Sequence, residues 1–379
     1  MNKLLNIKWK RYIAYIIIGL FTIIMGSVSI FGRLPASSLY LYEQIAIAII
    51  LAVSLSLVVG FLGELSLGHA GFMCVGAYLG GKTAAILAET ALGNGIITLL
   101  IALVVGGITA GICGFVVGLP ALRLKGDYLA IVTLAFGEIV RTIFENTSEE
   151  SFGGPSGLET PRYDKNYLFI IAFVIILLTI FVIQNLIRSK HGRAITAIRD
   201  NEIAAKATGI NVTKYKLYGF VIAAVFAGFA GVLFSYSNYE IRSSNFDYNY
   251  SIEILVTVVL GGMGSINGSI IAAALTTFLN VKLANILSGD LAVLKDLIYA
   301  LILIVIVVYN NAPALAMFRD KYNVRTIWAK ITKNRFAHKD VDDSGRWDVV
   351  PTKIKMDAIL STDFVVNDES KPDKTEGEK

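Results

Sequence analysis

Uncharged, strongly apolar runs occupy 12–32, 44–63, 90–122, 166–187, 217–239, 254–281 and 297–318, with short polar stretches between them. Two further segments, 65–88 and 127–144, favour helix but are interrupted by charge or glycine. These runs are of the order of the ~20 residues a helix needs to cross a hydrocarbon core. Lipid offers backbone polar groups no partner except one another, so such runs must be helical. The run 254–281 is broken at Gly261, Gly262, Gly264 and Gly268, which divides it into two short helices at about 250–263 and 267–287. The pattern predicts an all-α polytopic membrane protein of about ten membrane helices, some short or broken. Small residues recur at four-residue spacing, as at Gly76 and Gly80, Gly107 and Gly111, and Ala227 and Gly231. In lipid that spacing lets helix backbones approach closely.

Composition sharpens the boundary of the membrane part. The chain is 55% hydrophobic and only 17% charged, against about a quarter charged in soluble domains. Of its 34 Lys and Arg, 13 fall in 319–379, as do 12 of its 29 Asp and Glu. The division is therefore a transmembrane domain over 1–320 and a polar tail over 321–379, partly disordered where it loses all periodicity past about 340. Within the tail, 322–336 places Val324, Ile327, Trp328 and Ile331 among basic residues, as in a helix lying on a membrane surface. The net charge of +5 is too modest to suggest nucleic acid.

Charge placement also gives orientation. Lys3, Lys8, Lys10 and Arg11 precede the first run, and Arg188, Lys190, Arg193, Arg199, Lys206, Lys214 and Lys216 crowd the 188–216 loop. Basic residues follow the last run, whereas the 145–165 loop is acidic. By the positive-inside rule both termini and 188–216 are cytoplasmic, and 145–165 is external. The first run exceeds the ~7–15 apolar residues of a secretory signal and lacks a clear cleavage site, so it is expected to be retained.

Little here suggests bond-making chemistry. Cys74 and Cys113 lie in apolar stretches, and His69, His191 and His338 have no ligand spacing, so no metal or cofactor is expected. The stretch GAYLGGKT at 76–83 fits a phosphate-binding pattern, but it ends an apolar helix on the external side instead of joining a strand to a helix. It is not expected to bind nucleotide.

Four places remain as candidate sites. The segment 63–72 joins two membrane runs and contains Glu64, Ser66, Gly68 and His69. It reads either as a polar site at a helix break, with Ser66 capping the next helix, or as a tight turn near the cytoplasm with Glu64 in water. Glu138 and Arg141 can pair along one helix face. Glu253 has no such neighbour and leads into the break at Gly261, Gly262 and Gly264; it reads either as a functional carboxylate in a membrane segment or as one that simply reaches the outer water. The fourth place is 193–209, RAITAIRDNEIAAKATG, which is Ala-rich, helix-favouring and too polar for lipid. A short cytoplasmic helix here, stopped at Gly209, offers a smooth face to a soluble partner.

Glu202, Ala204, Ala205 and Gly209 resemble the loop by which permeases of ABC importers dock onto their ATPase subunits. SLGHAGF at 66–72, LRLKGDYLAIVTLAFGEIVR at 122–141, GGPSG at 153–157 and VLGGMGSING at 259–268 are similar to segments of one branch, the LivM-type permeases of branched-chain amino-acid importers. The likeness covers roughly 40–310 in the expected order; the tail after about 320 is longer than the branch leads one to expect. The resemblance implies about ten helices per subunit and uptake of Leu, Ile and Val. It also implies a second related permease, two ATPase subunits that use the ATP, and an external substrate-binding protein. Related permeases move urea or short amides. The rival class is a stand-alone secondary transporter or channel with Glu64, His69 and Glu253 as a relay, but it has no use for a docking helix at 193–209.

Overall fold

The computed structural model describes residues 15, 17–29, 31, 35–90, 93–124, 126–161, 163–286, 297–301, 304, 305 and 308. All lie in the compact unit Met1–Asn311. The basic N-terminus, most of the 297–318 run, the 322–336 segment and the 321–379 tail fall outside the described residues.

The chain folds into α1 (Ile17–Ser29), α2 (Ala36–Ser56, continued as a π-helical turn Leu57–Leu62), α3 (His69–Ala88), α4 (Ile96–Ala121) and α5 (Asp127–Glu145). A short α6 (Glu149–Phe152) leads to β1 (Leu158–Glu159), which pairs antiparallel with β2 (Glu240–Ile241). The remaining helices are α7 (Lys165–Arg188), α8 (Lys190–Asp200), α9 (Glu202–Ala207), α10 (Val212–Asn238), α11 (Tyr248–Gly261) and α12 (Ile266–Ile286). Among the described residues six helices are long and apolar enough to cross a membrane: Ala36–Leu62, His69–Ala88, Ile96–Ala121, Tyr167–Arg188, Val212–Asn238 and Ile266–Ile286.

The predicted runs become helices with shifted ends. The second begins at Ala36 rather than at 44, which takes Glu43 into the helix. The fourth begins at Ile96 rather than at 90, after a turn at Glu89 and Thr90. The third starts only at His69, and 63–68 is an irregular linker. The largest departure is 193–209, which forms two helices. Asn201 adopts an extended conformation between them and its Oδ1 accepts from Ala204 N at 3.0 Å, capping α9. An Asp-Asn pair offers the backbone such side-chain bonds in place of continued helix.

Packing centres on α3, α4 and α10, with α2 on their flank against α7, α10 and α12. α2 is apolar nearly all round and its second half is buried on every side, as a central helix requires. The glycines make the close approaches. A Cβ on Gly228 would lie 2.5 Å from Gly106 O and 2.7 Å from Ala110 Cβ, and one on Gly76 would strike the Gly228 backbone. On the outside, Ile97, Leu100, Val104, Ile108, Ile112 and Phe115 of α4 make an exposed stripe. Such a surface is a liability in water and an ordinary one against lipid chains. Gly228→Val should therefore push α10 off α4 and lower the melting temperature of the purified protein, overpacking costing about 1–3 kcal/mol. Gly19→Val, with nothing within 4 Å of its Cβ, should leave it unchanged; equal melting temperatures for both would contradict this packing.

α10, with 27 residues, is about 40 Å long at 1.5 Å per residue, and so defines two ends of the bundle. One end carries 145–165 and the β1–β2 pair, with Lys82 Nζ donating to Glu150 O at 3.0 Å and Thr160 Oγ1 to Ser235 O at 2.7 Å. The other carries the π-turn, 63–68, α8, α9 and the turn between α11 and α12.

Candidate functional site

At the α8–α9 end, local sequence builds a compact polar junction. Arg199, near the C-terminus of α8, donates from Nη1 to Gly60 O at 2.9 Å, inside the π-turn. Its Nε and Nη2 hold Asp200 Oδ1 at 3.1 and 2.9 Å. The π-turn ends at Gly63, whose φ of 79° is left-handed and over which the Arg199 side chain lies. Such π-turns are rare and recur at functional sites. On the other side of Gly60 stands Gly264: a Cβ on Gly60 would strike Gly264 N, and Arg199 Nη1 is 3.6 Å from where a Gly264 Cβ would stand. One guanidinium thus meets both the end of α2 and the turn joining α11 to α12. In that turn Gly262 and Gly264 have φ of 88° and 82°, conformations open to glycine at little cost.

Beside this junction Lys216 of α10 is buried, with 3% of its side chain exposed, and holds Glu64 at 2.5 Å and Glu202 at 3.2 Å. Glu64 is therefore an ion-paired, buried carboxylate and not a solvated one. Ser66 does not cap α3: Gly68 is the capping residue and makes no side-chain bond, while Ser66 Oγ is buried without a partner among the described residues. His69 is buried with Nε2 2.8 Å from Ser54 Oγ. Leu67 N donates to Thr133 Oγ1 at 3.0 Å and Ala70 N to Ser251 Oγ at 3.2 Å. The 63–72 segment is thus clamped onto α2, α5 and α11. Glu138 pairs with Arg141 at 2.9 Å, and Arg141 also reaches Glu145 at 2.8 Å, so α5 satisfies these charges along its own face.

α8 and α9 divide the residues expected to face a partner. Ala205 is buried within the chain, and Glu202 turns to Lys216. Ile203 is 80% exposed, and Ala204, Lys206, Ala207 and Gly209 are exposed beside it. Gly209 has a φ of 85° with nothing within 4 Å of a Cβ position. An isoleucine open to water on a short polar helix is the outward feature that sequence reasoning passed over.

Toward the other end, α2, α11 and α12 enclose a cleft of about 340 Å3. Tyr40 and Gln44 line it from α2, with Ala48, Leu51 and Ala52 deeper; Glu253 and Thr257 line it from α11, and Thr277 and Asn280 from α12. Glu253 Oε1 accepts from Tyr299 OH at 2.8 Å and from Asn280 Nδ2 at 3.1 Å. Ser66, Gly68, His69 and Glu138 are not among the cleft residues; Gly261 ends α11, and Gly262 and Gly264 lie in the turn at the far end of the cleft walls.

A second buried carboxylate, Glu43, went unnoticed in the sequence because it stands one residue before an uncharged run. Its Oε2 accepts from Ser237 Oγ at 2.6 Å, while Oε1 has no partner among the described residues. Gln44 Nε2 reaches the same Ser237 Oγ at 3.3 Å, and Tyr40 OH donates to Asn238 Oδ1 at 3.1 Å. These bonds tie the cleft wall on α2 to the end of α10. Gly76–Thr83 is helical throughout inside α3, so its amides are spent on the helix and do not form a phosphate cradle. Among the described residues no group of His, Cys, Asp and Glu could hold a metal ion.

Lipid-facing helices around a cleft, with ion pairs locked inside the bundle, define a multi-pass helical membrane protein. The chain belongs to the family described as branched-chain amino acid transport system, permease component, which it matches over 37–307. It is 35% identical over 316 residues to the high-affinity branched-chain amino acid transport system permease protein LivM of Salmonella typhimurium, covering 75% of this chain and 71% of that protein. It is 39% identical over 261 residues to LivM of Escherichia coli, covering 60% and 59%. The ribose import permease protein RbsC of Escherichia coli is 25% identical over 293 residues, 71% of this chain and 84% of that one. No solved structure matches the chain. The family and these relatives are permease components, not enzymes.

Proposed function

We propose that this chain is the membrane-spanning subunit of an ATP-driven importer of leucine, isoleucine and valine, and forms half of its translocation pathway. The family match over 37–307 and the identity to LivM carry the reading. A second related permease supplies the other half, two ATPase subunits use the ATP, and an external binding protein delivers the amino acid. Ten membrane segments make the domain of 1–320: α1 to α5, α7, α10, α11, α12 and 297–318. The positive-inside rule supports a cytoplasmic 188–216 and cytoplasmic termini. The ATPase docks on α8 and α9, with Ile203, Ala204, Lys206 and Ala207 at the contact and Glu202, Ala205 and Gly209 holding the frame.

The junction at Arg199 supports a route by which docking would reach the pathway. α8 carries Arg199, which binds the end of α2 and touches the α11–α12 turn. Those elements are the walls of the cleft. A displacement of α8 by the ATPase is passed to both walls at once, and the left-handed glycines in the turns take up the change of backbone angle. Cells lacking this chain should lose uptake of radiolabelled Leu, Ile and Val and regain it on re-expression. Loss of urea uptake with all three amino acids still imported would overturn the substrate. The tail is an accessory extension, so truncation after Lys339 should leave uptake intact; loss of uptake with normal membrane insertion would contradict this.

A further inference from the structure

We propose that Glu253 is the group in the cleft that receives the α-ammonium of the passing amino acid, so that the cleft selects amino acids over carboxylic acids of the same shape. This rests on the amino-acid importer reading above and names the residue that would carry its specificity. The cleft, at about 340 Å3, is at the small end of the roughly 300–1,000 Å3 of small-molecule sites. Among the described residues that line it, Glu253 is the one charged side chain. No Lys or Arg of the described residues pairs with it; both of its hydrogen bonds come from neutral donors, Tyr299 and Asn280, and both fall on Oε1. Oε2 has no partner among the described residues. Other carboxylates within the bundle are differently placed: Glu64 has its own lysine, Glu138 its own arginine, and Glu43 lies outside the cleft.

A carboxylate inside a membrane protein without a cation is costly and calls for a partner. Tyr299 and Asn280 fix its orientation on one oxygen and leave the other for a visiting donor. An ammonium supplies the missing charge, and a hydrogen bond with both partners ionised is among the stronger ones available. The rest of the lining suits the rest of the molecule. Ala48 of α2, with Ile254 and Val281 of α11 and α12, makes an aliphatic wall for a branched side chain. Thr277 and Gln44 add neutral polar groups to the lining.

The test uses the assembled importer without its binding protein, so that the binding protein's own selectivity does not enter. Cys74 and Cys113 are replaced by Ala, Thr277 becomes the single reporter as Thr277→Cys, and its rate of modification by a small thiol reagent is followed. Leucine should slow the reaction, and 4-methylpentanoate, which is leucine without its amino group, should not. With Glu253→Gln the leucine needed for half-protection should rise by at least about tenfold, the scale set by a hydrogen bond to a charged group. Glu253→Asp, which keeps the charge, should retain most of the protection. ATPase stimulation by the loaded binding protein serves as the check that each variant is assembled. Equal protection by leucine and 4-methylpentanoate, or protection unchanged in Glu253→Gln, would overturn the proposal. Leucine uptake by the complex once its binding protein is added, with no protection of Thr277→Cys by leucine in its absence, would overturn it too and leave the importer reading standing. Failure of the parent to import leucine at all would overturn that reading instead.

Discussion

Lys216→Met should destabilise the protein by about 3–5 kcal/mol, the usual cost of removing one partner from a buried ion pair. The side chain is 3% exposed and its main partner Glu64 is 11% exposed, so water cannot take over the lost charge. Glu202, at 34%, is better hydrated and should contribute less to the loss. Abundance in the membrane and melting temperature in detergent should both fall. The double change Lys216→Met with Glu64→Gln should recover most of the loss, because no net charge then remains buried. A single variant as stable as the parent would mean that Glu64 finds another partner or water, and that the junction is looser than its geometry.

Arg199→Ala should uncouple the importer with little effect on folding. Its side chain is partly exposed and its bond to Gly60 O joins elements that are otherwise held by packing. Losing a hydrogen bond from a charged donor is worth roughly 1.5–3 kcal/mol, which in a coupling step corresponds to a fall in amino acid moved per ATP of roughly tenfold to a hundredfold. ATP hydrolysis by the docked ATPase should continue. Arg199→Lys should fall between, since one ammonium cannot hold Gly60 O and Asp200 Oδ1 with the planar fork that Arg brings. An unchanged ratio of transport to hydrolysis in Arg199→Ala would remove Arg199 from the mechanism.

The membrane helices were legible because lipid imposes one rule on every segment: no charge, and a length of about 20 residues. That same rule misplaced their ends. Counting only uncharged positions started the second span at 44 and left out Glu43, although a carboxylate can enter a span when Ser237 of another helix meets it. The α11–α12 break was visible as glycines at 261, 262 and 264. The π-turn at Leu57–Leu62 was not, because an i→i+5 bond has no side-chain signature. In α8 and α9 the charges were visible but their directions were not. Lys216 counted as one more cytoplasmic lysine, yet it is buried under Glu64 and Glu202, which also turns α9 so that Ala205 faces inward and Ile203 outward. Glu253 stood out as a carboxylate with no neighbour at helical spacing. Its partners, Asn280 and Tyr299, lie 27 and 46 residues away, a separation that only the folded chain closes.

Uptake into vesicles made from purified parts bears most directly on the role of this chain. The chain, its partner permease and the ATPase are reconstituted with ATP inside, and the binding protein is presented with labelled leucine on the other side. The account predicts accumulation of leucine against its gradient that requires ATP, hydrolysis and this chain together. Accumulation by the chain alone, driven by an imposed proton or sodium gradient in the absence of ATP and partners, would contradict it and make the protein a secondary transporter.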